Sequence, residues 1–372
     1  MLNTHFFYII LIYNIKISKN FTLNFHLPTH FIALCVLFIL AGCQSEVSLQ
    51  QQESYVFGTR VEISIAQTRP ETAQQAIRAA LQELDRLHRQ LHPWQTDSEL
   101  FQVNRALQSG HSTTVSAELA ELIRASQQSE RLSDGLFNPA IGLLIREWGF
   151  QQEHAAPQPP PAATLQQLLT PPPTTLAIEL NGNQAHSRQA HIALDFGGMA
   201  KGWALDRVAQ ILRQHQVQHA LINIGGNILA MGQKAPKQPW RVGIQHPRQG
   251  VAMAILNLAD GEAIGTSGDY QRYFVYQNRR YCHLILPKTG YSTCQRQSAT
   301  VLIHGGVGAG LRSDVASKPI YFSAPAQVVD YAQRFGVAGV LLVEGNGEVK
   351  LNRVMQSRVE WLIAPPHSQL ID

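Results

Sequence analysis

Residues 195–202 read Asp-Phe-Gly-Gly-Met-Ala-Lys-Gly and lie between a short apolar run, His191 to Phe196, and a stretch in which Ala204, Leu205, Val208, Ile211 and Leu212 recur at helical spacing. Strand, double glycine, helix is an order that can cradle an anion. Glycines let backbone amides approach a phosphate, and a helix amino terminus carries partial positive charge towards it. Lys201 would add a full charge in the first helical turn, and Asp195 could accept hydrogen bonds from a ribose or base. A double glycine at a strand end is equally the chemistry of a tight turn, so both readings stand at this point. The same holds for Gly305 to Gly310, ahead of Asp314: a flexible turn or a phosphate-facing loop. Neither segment has the glycine spacing of a dinucleotide fingerprint or a Walker loop. His-Glu-x-x-His and Gly-x-Ser-x-Gly do not occur, which disfavours the familiar zinc and serine hydrolases.

The elements that must position these residues follow from periodicity. Tyr55 to Ile65 alternates and is rich in β-branched residues, as a half-buried strand is. Ile77, Leu81, Leu84, Leu87 and Leu91 fall on one face of a helix expected over Thr72 to Leu91. A second helix is expected from Ser116, which can cap it, to about Leu132, and a third begins near Pro139. Residues 155–175 carry seven of the chain's 19 prolines and read as an exposed insertion. Strand signals follow at Leu176 to Leu180, His191 to Phe196, His219 to Ile224, Trp240 to Gln245, Met253 to Leu258 and Ala299 to Ile303. A helix over Ala326 to Phe335 and a strand over Gly339 to Val343 close the chain. Helices and strands interleave without a regular βαβ count, which favours a mixed α/β (α+β) fold over a doubly wound sheet.

Length and composition bound the rest. A chain of 372 residues suggests two domains at roughly 150 residues each. Lys and Arg total 30 against 26 Asp and Glu, with 45% hydrophobic residues, which excludes a disordered chain and argues against a nucleic-acid partner. At the amino end, Lys16 and Lys19 precede an apolar run of 11 residues, Phe31 to Ala41, closed by Leu40-Ala41-Gly42-Cys43. The run is shorter than the roughly 20 residues of a spanning helix, so a signal peptide over 1–42 with a lipidated Cys43 is expected. A tether over 43–54 would follow. That places the protein on the periplasmic face of a bacterial membrane, held by lipid. An uncleaved signal anchor is the alternative, because Phe6 to Tyr13 is also apolar. Two cysteines then remain in the folded body, Cys282 and Cys294, and an oxidising compartment leaves them open between a bridge and two free thiols. A bridge would close a loop of about a dozen residues, worth roughly 3 kcal/mol.

The motifs, taken in order, resemble one family, the FAD:protein FMN transferases or ApbE flavin transferases. Phe57-Gly-Thr59 is similar to that family's opening Met-Gly-Thr, and Asp97-Ser-Glu-Leu100 with Asn104 to its Asp-Ser-Glu-Leu and following Asn. Ser133-Asp-Gly-Leu-Phe-Asn-Pro139 resembles Ser-Asp-Gly-Ala-Phe-Asp-Pro and continues through Gly142 to Trp148-Gly149-Phe150. Asp195 to Gly202 resembles Asp-Leu-Gly-Gly-Ile-Ala-Lys-Gly, and Asn223-Ile-Gly-Gly-Asn227 resembles the next glycine pair. Trp240 to Ile244, Thr266-Ser-Gly-Asp-Tyr270 and Pro287-Lys-Thr-Gly-Tyr291 complete the series.

The resemblance implies an ApbE-like fold with mixed sheets and flanking helices over residues 55–363, leaving a tail at 364–372. It also implies magnesium-dependent transfer of the FMN half of FAD onto a Thr or Ser hydroxyl of a protein, with AMP leaving. The implied acceptor belongs to a membrane redox complex that carries covalent FMN. Phe57, Leu136, Phe137, Asn138, Asp195, Lys201 and Ile285 would line the FAD site, and Gly198 and Asp314 would face the metal. His283 matches the second histidine of the family's His-His-x-x-Asp-Pro and would stand by the pyrophosphate, where a general base is needed. Taken alone, it also reads as a loop histidine bonded to backbone. The carboxyl third departs from the pattern. Asp314-Val-Ala-Ser-Lys318 stands where the family has Asp-Ala-Leu-Ser-Thr, Cys282 replaces the first histidine, and Leu286 replaces the aspartate. Either Ser317 or water completes the magnesium site, or Lys318 supplies part of the ion's charge, which would make it a catalytic residue beside Asp314 and His283. The departures keep two alternatives beside transfer: a lipoprotein that stores FAD, and a pyrophosphatase that yields FMN and AMP.

Overall fold

Strands whose side chains alternate between two buried faces build the centre of the protein. The computed structural model describes residues 49–150 and 158–371. The expected signal over 1–42, residues 43–48 of the tether with Cys43, and residues 155–157 of the proline-rich stretch lie outside the described residues. Nine strands form one sheet in the order Gln50–Val56, Thr59–Ile65, Ala220–Ile224, Asn227–Met231, Ala263–Gly268, Arg296–Ile303, Gly339–Glu344, Val349–Leu351 and Ser368–Leu370. All neighbours are antiparallel except the last pair. Along Asn227–Met231, Leu229 and Met231 enter one core while Ile228 and Ala230 enter another, the period of two that a strand imposes.

Helices Pro70–Gln90 and Ala200–Gln214 cover the first face, burying Ile77, Leu84, Leu205 and Val208 against Ile63 and Ile222. A three-stranded sheet of Trp240–Gln245, Ala252–Leu258 and Val359–Trp361 covers the second, packing Trp240, Val242 and Leu256 on Ile264, Leu302 and Leu341. This is the mixed α+β architecture expected. Residues from Val47 onward form one compact unit rather than the two domains that length suggests. The large sheet explains why: it draws its edge strands from both ends of the chain. The expected tail is itself an edge strand, Ser368–Leu370.

Local differences have physical reasons. The run Tyr55 to Ile65 is not one strand but the second half of a hairpin, turning at Phe57 and Gly58, both at positive φ (55° and 65°). Residues 191–196 pair with no neighbouring strand beyond one bridge, Ile141 to Ala193. The buried amide of Asn104 completes the pairing instead, accepting from Leu194 N at 2.7 Å and donating to Leu194 O at 2.9 Å. The expected insertion is tied in rather than exposed throughout. Ala162–Leu168 is a helix with Leu165 buried, Asn138 donates to Pro173 O at 2.8 Å, and buried Glu130 accepts from Thr175 N at 2.8 Å. The third helix starts at Gly142, not at Pro139.

The helix Ala309–Phe322 carries no apolar stripe because it is buried on nearly every side. Glycines let it in. A Cβ on Gly202 would strike Gly310 O and Asp314, and one on Gly265 would strike Ser313 O, so this helix lies in backbone contact with both Ala200–Gln214 and Ala263–Gly268. Its amino end is held by the Asp206 carboxylate, which accepts from Gly310 N at 2.9 Å and Leu311 N at 2.8 Å. The glycines of 305–308 form the turn before it and do not reach the cavity described next.

Candidate active site

The close approach at Gly202 brings two helices to one point, and a cavity of about 1220 Å3 opens above it. Of the twelve residues that the sequence reading assigns to the site, eleven line this cavity: Phe57, Leu136, Phe137, Asn138, Asp195, Gly198, Lys201, His283, Ile285, Asp314 and Lys318. Ser317 does not. It sits one residue short of the face that Asp314 and Lys318 share at i and i+4, with its hydroxyl on Ser267 Oγ at 2.8 Å and donating to Asp314 O at 2.7 Å. Ser267 itself lines the cavity, so Ser317 stands behind the wall there.

Charge concentrates at the centre. Asp314 is buried; its Oδ2 accepts from Gly202 N at 2.9 Å and its Oδ1 accepts from the Lys318 ammonium. Burial pushes the Asp314 carboxyl up, but Lys201 and Lys318 outweigh it and hold the pKa below the usual carboxylate value. Burial lowers the Lys318 pKa, with Asp314 opposing the shift. Lys201 donates to Gly197 O at 3.0 Å, and Asp195 accepts from Gly197 N at 2.8 Å, closing the turn. Burial raises the Asp195 pKa against that hydrogen bond and the charges of Lys201 and Arg272. The first helical amides are less open than the glycine turn suggests: Ala200 N bonds Phe196 O at 2.7 Å, and Gly202 N is taken by Asp314.

His283 faces this centre from the loop after the hairpin Tyr273–Tyr276 and Arg279–Cys282. Its Nδ1 lies 3.2 Å from Arg272 O. Burial, together with Lys201, Arg272 and Lys318, lowers its pKa to about 4, so the imidazole is neutral at pH 7. Residues 282 and 294 are joined by a disulfide, Cα atoms 6.0 Å apart, which fastens the hairpin directly before His283. Trp148 donates to Gly290 O at 2.7 Å and stacks with Phe150, so two of the sequence motifs prove to be one brace behind the loop.

Two apolar ends flank the charged centre. Leu136, Ile141, Ile145, Phe150 and Ile285 line one; Phe57, His88, His92 and Trp94 line the other, where His88 lies edge-on to both Phe57 and His92 at 5.6 and 5.5 Å. Sequence reasoning missed Arg272, which also donates to Gly58 O at 3.0 Å, and the His88 and His92 pair. The available signals were an arginine two residues past Thr266-Ser-Gly-Asp-Tyr270 and two histidines at i and i+4 on a helix end. A cation-rich centre with two apolar groups of lining residues suits a dinucleotide, whose pyrophosphate joins two ring systems.

The residues do not fit the magnesium ion that the sequence pattern implies. An ammonium stands at position 318 and occupies Asp314 Oδ1, and the Ser317 hydroxyl is spent on Asp314 O and Ser267 Oγ. Among the described residues no group of three or more His, Cys, Asp or Glu side chains is placed to hold a metal.

Comparison with known proteins places this arrangement. The model of the ApbE family matches residues 57–341. The FAD:protein FMN transferase of Rhodobacter capsulatus is 31% identical over 306 residues, covering 82% of this chain and 57% of that protein. The enzyme of the same name from Haemophilus influenzae is 25% identical over 84% of this chain and 91% of its own length. Among solved structures, an ApbE protein of Thermotoga maritima superposes with a TM-score of 0.76 at 25% identity, covering 84% of this chain and 99% of its own. The Pseudomonas stutzeri flavinyl transferase ApbE in its apo form gives 0.71 at 26%, covering 85% and 98%. The chain belongs to the ApbE family.

Proposed function

We propose that the protein transfers the FMN half of FAD onto a Thr or Ser hydroxyl of an acceptor protein and releases AMP. One observation carries the reading: three cations, Lys201, Arg272 and Lys318, and a neutral His283 converge between two apolar ends of a single cavity. The names of the relatives agree with it.

Ground-state binding places the pyrophosphate against Lys201 and Lys318, with the flavin and adenine rings in the apolar ends. The acceptor oxygen attacks the phosphorus on the FMN side. A new phosphorus–oxygen bond forms, the bond from that phosphorus to the bridging oxygen breaks, and AMP leaves with the bridge oxygen. The hydroxyl proton goes to His283 and from there to solvent. A histidine with a pKa of about 4 is a weak base at neutral pH. Three cations contribute to holding it there, and a pyrophosphate dianion neutralises them, which raises the pKa towards the working pH. Lys201 and Lys318 stabilise charge that builds on the non-bridging and leaving oxygens.

The acceptor belongs to a membrane redox complex carrying covalent FMN, and the protein meets it at the periplasmic face through a lipid on Cys43. The apolar run Phe31 to Ala41 and the 40–43 motif support the anchor. Co-expression with a candidate acceptor, followed by mass spectrometry, tests the chemistry. An FMN mass on one Thr or Ser supports transfer; free FMN with AMP indicates hydrolysis, and intact retained FAD indicates storage. A Cys43→Ser variant recovered in the soluble fraction supports the anchor.

A further inference from the structure

We infer that the Lys318 ammonium is a built-in cation that neutralises the bound pyrophosphate, so that FAD binding needs no divalent metal. The inference rests on the dinucleotide reading of the cavity and deepens it. Lys318 lies one helical turn after Asp314 on the same face of Ala309–Phe322, and its Nζ is fixed by the Asp314 carboxylate and by Asp314 O at 2.7 Å. Its side chain is 13% exposed, and that exposure opens to the cavity. Gly198 packs beside it: a Cβ at 198 would lie 3.7 Å from Lys318 Cε and 3.1 Å from the Phe137 ring, so the stem is held in a slot between turn and helix.

The charge balance favours this role. The cavity lining carries Arg146, Lys201, Arg272 and Lys318 against Asp195 and Asp314, a net of +2 that matches a pyrophosphate dianion. Removing the Lys318 charge leaves +1, one short of the dianion it must meet. A divalent ion added at Asp314 would sit beside the ammonium already held by that carboxylate, and the two cations would repel. A tethered ammonium is also pre-positioned, whereas an ion must first be bound and partly dehydrated.

The test is FAD binding rather than turnover. Purified protein is titrated with FAD, followed by quenching of flavin fluorescence, in EDTA and again in excess magnesium chloride. The unchanged protein is expected to bind with the same affinity in both, to within about twofold. Lys318→Met is expected to bind roughly 10- to 100-fold more weakly in both buffers, the worth of one charge-assisted hydrogen bond. Lys318→Thr is expected to be equally weak in EDTA and to recover affinity on adding magnesium, because its hydroxyl restores an oxygen ligand. A tenfold or greater loss on chelating the unchanged protein overturns the inference without needing either variant. Undiminished binding by Lys318→Met also overturns it. Binding in EDTA without transfer to any acceptor would support the tethered cation while removing the transfer reading, so the two stand or fall separately.

Discussion

Replacing Asn104 by Ala should both destabilise the fold and loosen the site, because one buried amide pairs both backbone groups of Leu194. Asn104 is 4% exposed, and its two hydrogen bonds, 2.7 and 2.9 Å, go to the N–H and C=O of Leu194, itself fully buried. Truncation leaves both backbone groups unpaired where water does not reach. At about 1–3 kcal/mol for each of the two buried unsatisfied groups, the expected cost is about 2–6 kcal/mol. With an m-value of roughly 3 kcal/mol per molar urea, suited to a chain of this size, the unfolding midpoint falls by about 0.7–2 M. FAD affinity should fall with it, since Asp195, Gly197 and Gly198 lie on the segment that Leu194 anchors. Asn104→Asp gives a directional control. It keeps the acceptor for Leu194 N but sets a carboxylate against Leu194 O, so it should be as unstable near neutral pH and recover on acidification, when the protonated acid can donate. Urea denaturation followed by tryptophan fluorescence and circular dichroism measures both. A midpoint shift below about 0.3 M for Asn104→Ala would refute the reasoning.

Gly202→Ala should cost about 1–3 kcal/mol or more through overpacking at the helix crossing, and should weaken FAD binding because the added methyl meets Asp314; equal stability and affinity to the unchanged protein would contradict the packing described. His283 has a folded pKa near 4 against 6.5 unfolded, so the unfolded chain binds more protons between those values. Its contribution to stability is complete above pH 6.5 and is lost as pH falls towards 4, a shift of about 2.5 units that amounts to about 2–3 kcal/mol after allowance for partial exposure. His283→Gln should therefore flatten the acid limb of a stability profile over that window, and an unchanged limb would show that the imidazole is not held neutral. Reducing the bridge between Cys282 and Cys294, 12 positions apart, should lower stability by about 3 kcal/mol, read as a midpoint shift with and without dithiothreitol.

What could be read from sequence was what repeats with a period or recurs as a motif. The stripe of Pro70–Gln90 and the Ser116 cap of Ala117–Leu132, which accepts from Leu119 N at 3.2 Å, fall where periodicity and capping chemistry put them. The glycine turn at 197–198 likewise lies in the cavity wall. Ala309–Phe322 escaped because burial on every side erases an amphipathic pattern, and because Pro319 inside it argues locally against a helix. Residues 191–196 have a strand's composition, yet they bond to the backbone of residues 139–142 and to a side chain 90 positions away, which no local pattern encodes. The motif Asp97 to Asn104 turned out to be scaffold: Ser98 caps a helix by accepting from Phe101 N at 3.0 Å, and Glu99 accepts from Ser116 N at 2.6 Å. That Ser317 is left out of the cavity wall depends on a single residue step along a helix that the sequence did not reveal.

The pyrophosphate cradle is tested most directly by comparing three flavins on the purified protein. FAD, FMN and riboflavin share the isoalloxazine ring but differ in the phosphates that Lys201, Arg272 and Lys318 would hold. Saturable FAD binding is expected, with FMN weaker and riboflavin at least about tenfold weaker than FAD, the loss of one charge-assisted contact or more. Riboflavin binding as tightly as FAD, or no saturable uptake of FAD at all, would contradict it.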